Sequence, residues 1–169
     1  MSGEASRKID YLKNVRMSSE EQSYVLTELA DMISAGAGVN GCVDETARYL
    51  VDCISEMIES GQLGVEAEGA AFFALGKCHL PASSSRAMDC LTRVISRVRD
   101  PFAARNALIL IENFLCDDKI RSFLRDRSHL SEIVVHMLKL PSTWMIDRGL
   151  FNRVKVLLEE VRKDRQCEK

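Results

Sequence analysis

The 169 residues should fold entirely into helices. Apolar residues recur at i, i+3, i+4 and i+7 through most of the chain. No stretch sustains the two-residue alternation of a half-buried strand. Three prolines leave long segments free to be helical.

Taken in order, "SRKIDYLKNV" is a short amphipathic segment inside an N-terminal stretch, residues 1–17, that precedes the main body. "SSEEQSYVLTELADMISAG" opens on Ser18 and Glu21, the spacing of a capping box, and closes at Gly36. "SAGAGVNGC" holds three glycines but matches neither a dinucleotide fingerprint nor a Walker sequence, so it predicts a flexible connector. "DETARYLVDCISEMIES" places Ala47, Leu50, Val51, Ile54, Met57 and Ile58 on one face, and Gly61 stops it. "SSSRAMDCLTRVISRVRDP" does the same with Ala87, Leu91, Val94, Ile95 and Val98, and Asp100-Pro101 supplies the cap and first position of the next helix. "KIRSFL", "HLSEIVVHMLKL" and "GLFNRVKVLLEEV" carry further stripes, with Pro141 separating the last two. Residues 18–165 thus form one helical domain and 166–169 a tail.

Two helices differ from these. "VEAEGAAFFALGKCH" and "PFAARNALILIENFLC" are apolar around most of their circumference, as a helix packed on several sides must be. They alternate with the one-faced helices. That alternation predicts a layered, right-handed α-solenoid of about eight or nine helices rather than a four-helix bundle. Within it "AAFFALGKCH" from Ala71 and "ALILIENFLC" from Ala107 repeat at an offset of 36, and a third copy from Val154 sits 47 further on. The position six residues into each copy holds Lys77, Asn113 and Glu160.

The span "ALILIENFLCDDKIRSFLRDRSHLSEIVVHMLKL" resembles the armadillo repeat family and its HEAT-like relatives. In that family a small residue, a leucine and an asparagine hold the places of Ala107, Ile111 and Asn113. The resemblance implies a short repeat stack that binds a peptide or helix of a partner protein on its inner face, as an adaptor or scaffold without enzymatic activity. It also implies that Asn113, Lys77 and Glu160 line that face. The chain departs from the peptide-binding members at Ile109, where they carry tryptophan, and at Arg127-Ser128-His129, where a turn glycine is usual. The tryptophan–asparagine ladder with which nuclear-import receptors hold basic peptides is absent.

Composition restricts the remaining function classes. A formal net charge of −2 gives no field that would draw the chain to nucleic acid or an anionic membrane. The longest apolar runs fall far short of the roughly 18 residues of a membrane span. The N-terminus has no secretory h-region. Six cysteines lack any CxxC pair, and most lie in apolar helical patterns, which predicts reduced thiols in cytoplasm or nucleus. Cys78-His79 would need further ligands to hold zinc, so neither a metal nor a cofactor is expected. As a Cys-His pair, adjacent helical residues point about 100° apart.

Three alternatives stay open. Arg86, Arg93, Arg97 and Arg99 form the densest basic cluster, which would serve a nucleic-acid-associated repeat protein if it is not simply a solvated face. Asn113 either satisfies carbonyls at a helix end or is displayed toward a partner. Trp144, in "LPSTWMIDRG", is either a packing element or an interface anchor. The ends of so short a stack would also support self-association.

Overall fold

The computed structural model describes residues 3–36, 43–78, 81–94, 98, 100–125 and 147–167. Among these every regular element is helical: α1 (Gly3–Asn14), α2 (Ser19–Ser34), α3 (Val43–Glu59), α4 (Glu68–Gly76), α5 (Pro81–Val94), α6 (Pro101–Cys116), α7 (Asp118–Arg125) and α8 (Arg148–Cys167). A single 3-10 turn, Val65–Ala67, leads into α4. The helix expected over "HLSEIVVHMLKL", the glycine connector beyond Gly36, and Trp144 lie outside the described residues.

The helix boundaries follow from capping chemistry. Ser18 Oγ accepts from the Glu21 N–H at 3.2 Å. Asp100 accepts from the Ala103 N–H at 3.0 Å with Pro101 at the first position of α6. Asp117 Oδ1 takes the Lys119 and Ile120 amides and so opens α7. Asp147 Oδ1 takes that of Leu150 at the start of α8. Each such cap contributes about 0.5–2 kcal/mol. At the other end of α3, Gly61 adopts φ 72°, and the Gln62 N–H reaches back to Met57 O at 2.9 Å, closing a Schellman turn that L-residues with a Cβ rarely adopt.

The stripes read from sequence bury as expected. Ala47, Leu50, Val51, Ile54, Met57 and Ile58 of α3 all belong to the core, as do Ala87 and Leu91 of α5. The N-terminal segment is more than a preface to the body: α1 buries Ala5, Ile9 and Leu12 and packs on α3 and α2. "VEAEGAAFFALGKCH" is not one continuous helix. The Ala67 N–H closes an i→i+3 bond on Gly64 O, so the first turn is 3-10 and α4 proper starts at Glu68.

The helices pack more with their second neighbours than with their first. α2, α4, α6 and α8 follow one another in one row, and α1, α3, α5 and α7 in a second, the closest pairing being α4 with α6. Cross-links show that neighbours within a row run parallel. Arg86 binds Asp52 at 2.6 Å and Arg93 binds Glu59 at 3.0 Å, so α3 and α5 meet twice at the same separation of 34 residues. Between α6 and α8, Arg105 approaches Asp147 at 3.9 Å and Arg153 binds Glu112 at 2.8 Å, separations of 42 and 41. These exposed pairs fix register more than they add stability.

At the α2–α4 junction the link is buried. Gln22, 6% exposed, donates from Nε2 to Gln62 O at 2.8 Å and accepts the Gly64 N–H at Oε1 at 2.9 Å. One amide thereby satisfies two backbone groups of the turn that connects the rows.

Candidate functional site

Small residues let α4 and α6 approach. A Cβ on Gly69 would lie 3.5 Å from Ala103 Cα, and one on Gly76 would lie 3.7 Å from Leu110 Cα. Asn106 seals the contact by donating Nδ2–H to Gly69 O at 3.0 Å. These separations, 34 to 37 residues, bracket the sequence offset of 36 between the two apolar helices.

Once α6 has buried Ala103, Ala104, Ala107, Leu108, Leu110, Ile111, Phe114 and Leu115, a partly covered strip remains beside Arg105, Glu112 and Cys116, which lie toward α8. It runs through Phe102, Asn106, Ile109 and Asn113, positions that a 3.6-residue period places above one another. Phe102 is 72% exposed, an unusual place for a phenylalanine at the start of a helix whose opposite face is core. The partly covered strip of α4 holds Ala70, Phe73 and Lys77, with Lys77 Nζ 5.1 Å from the centroid of the Phe73 ring. That cation–π contact draws the lysine over the aromatic surface instead of leaving it extended in solvent.

Lys77, the C-cap of α4, and Asn113, in the last turn of α6, therefore stand near the same end of two parallel, adjacent helices, on their partly exposed sides. Asn113 is half-buried and makes no side-chain hydrogen bond to a described residue. The end of α6 is served by backbone, the Asp117 N–H donating to Phe114 O at 3.3 Å, so the Asn113 amide does not cap it.

Glu160 is elsewhere. Same-height partners of α6 and α8 are 41 or 42 residues apart, not 47, which shifts Glu160 by about 8 Å along α8 from the level of Asn113. Its carboxylate pairs with Arg121 of α7 at 3.7 Å, as does that of Asp164 at 3.2 Å. Trp144 lies outside the described residues. Sequence reasoning overlooked Asn106 and Phe102. Their signal was present: Asn106 stands seven residues before Asn113 and Phe102 four before Asn106, all on one face.

Beside the strip, α6 and α8 enclose a cleft of about 430 Å³ lined by Glu112, Cys116, Asn152, Arg153, Val156 and Leu157. The Glu112–Arg153 pair crosses it, and the hydrogen bond that Arg153 Nε donates to Glu112 Oε2 pushes the guanidinium further into its charged range.

Two of the four clustered arginines are engaged within the fold. Arg86 and Arg93 are committed to Asp52 and Glu59, while Arg97 and Arg99 lie outside the described residues. The buried thiols are unsuited to nucleophilic work. Burial pushes Cys78 up to about 12 and Cys53 up to about 11, and Cys90 moves in the same direction for the same reason. Cys78 Sγ donates to Ala74 O at 3.4 Å. His79, His129 and His136 lie outside the described residues. Among the described residues no three His, Cys, Asp or Glu side chains converge as a metal site would require, and no helix is long and apolar enough to cross a membrane.

Compared with known proteins, the chain matches no protein-family model, no curated protein and no solved structure.

Proposed function

We propose that the chain is a non-enzymatic adaptor or scaffold, built as a short right-handed armadillo/HEAT-like α-solenoid, that receives a peptide or helix of a partner protein on the partly covered strip of α4 and α6. The observation that carries this reading is the composition of that strip. Phe102, Ile109 and Phe73 offer apolar area, Asn113 offers an amide with no partner among the described residues, and Lys77 offers a charge. In this mechanism the amide exchanges hydrogen bonds with the partner's main chain, the rings bury against its apolar side chains, and Lys77 meets an acidic one. The parallel packing of α4 and α6 holds the two halves of the site in fixed register, which limits the ordering entropy lost on binding. The alternative, a nucleic-acid-associated repeat protein, would rest on the arginine face, of which two of the four members are paired within the fold.

The test uses a partner identified by affinity purification and then purified for titration. Phe102→Ala is expected to weaken binding about tenfold or more while the midpoint of thermal unfolding stays at its wild-type value. Asn113→Ala and Lys77→Glu should weaken it in the same assay. Wild-type affinity in all three variants would place the partner on another surface.

A further inference from the structure

The two ends of the α2–α4–α6–α8 row carry opposite charge. At the first end, α1 and α2 enclose a groove of about 860 Å³ with four carboxylates and two cations on its lining. Tyr11 and Tyr24, 46% and 66% exposed, form its apolar wall. Lys8 crosses it to Glu28 at 2.7 Å and is neutralised there, and the same carboxylate takes a hydrogen bond from Tyr24. Glu20 and Glu21 make no ion pair with a described residue, and with Arg7 as the one further cation on the lining the groove keeps a net negative rim.

At the last end, α8 carries more bases than acids on its outer side, where the exposed Glu159 is the one acid among four cations. Glu160 and Asp164 are held by Arg121 of α7. Arg148, Lys155 and Arg162 recur every seven residues on the opposite side, with Lys163 beside them. None of these four cations pairs with a described residue.

We propose that copies of this chain associate head to tail, the basic outer face of α8 on one copy seating in the acidic, tyrosine-walled groove between α1 and α2 of the next. Opposite potentials steer the approach and set its register, and the aliphatic stems of Lys155 and Lys163 lie against the tyrosine rings with their ammonium groups at the carboxylates. Because the two surfaces differ, the contact is heterologous and yields open chains rather than a closed pair. It uses no part of the α4–α6 strip.

Sedimentation velocity of the full chain over a concentration series tests this. Wild-type protein should pass from monomer to a ladder of larger species at low ionic strength and revert as salt is added. Glu20→Lys with Tyr24→Lys, and separately Lys155→Glu with Lys163→Glu, should each lower self-association at least about tenfold. A mixture of the two double variants should associate again, because the intact α8 face of one meets the intact groove of the other. A wild-type chain that stays monomeric throughout, variants that associate like wild type, or a mixture that remains monomeric would each overturn the proposal.

Discussion

Phe114→Ala is expected to destabilise the fold by about 3–5 kcal/mol. Phe114 is fully buried in α6, the helix that packs on α4 and α8 within its row and on α7 and α5 across it. Truncation there removes a ring from the junction of both rows and leaves a cavity that flanking helices cannot collapse into without losing their own register. Against a typical total of about 5–15 kcal/mol, the loss is a large fraction of what holds the domain together. Phe102→Ala is the internal control: the same deletion on the same helix, but on its exposed face, should change stability by less than about 0.5 kcal/mol. Urea unfolding followed by far-ultraviolet circular dichroism checks both. Equal effects at the two positions would mean that α6 is not seated as described.

Gly64→Ala should cost about 1–3 kcal/mol, and Ser19→Gly should recover part of it. The backbone at Gly64 is extended, φ −69° and ψ 152°, so no strained torsion demands glycine there. Space does. A Cβ would lie 2.6 Å from Ser19 Cβ and 3.2 Å from Ser19 Cα, closer than side chains come in folded proteins. The turn has little freedom to retreat, because Gln22 clamps the Gly64 N–H and the Gln62 carbonyl on either side of buried Leu63. Ser19 is itself engaged: Glu66, whose carboxyl is held low by its own backbone N–H and then by Ser19, lies just beyond the turn. A double-mutant cycle on the same unfolding assay measures the coupling, and simple additivity would show that the two residues do not clash.

These two positions also show what the sequence made legible. Capping at Ser18 and Asp100, termination at Gly61 and the buried stripe of α3 are local, and each follows from the neighbouring few residues. Gln22 is the opposite case. In a helix rich in Glu and Ser it reads as one more surface residue, and its burial depends on a turn forty residues away. The offset between α4 and α6 was legible because both helices are apolar on several sides. The offset to α8 was not, because α8 is one-faced and its pattern repeats equally well one or two turns along. That ambiguity moved Glu160 into a strip to which it does not belong. Asn106 was overlooked for a related reason: a helical asparagine reads as solvent-facing until the carbonyl of Gly69 is seen beneath it.

The cysteines turn the packing into a clock. Cys53 sits in α3, Cys78 in the turn just after α4 and Cys90 in α5, each sealed from water, while Cys116 and Cys167 are exposed. With burial holding the inner thiols protonated at neutral pH, a thiol reagent should, among the described cysteines, modify the two outer sites at once and reach the inner three only when the elements around them open. Without any added label, the order in which the three inner sites react would distinguish a stack that opens helix by helix from one that opens all at once.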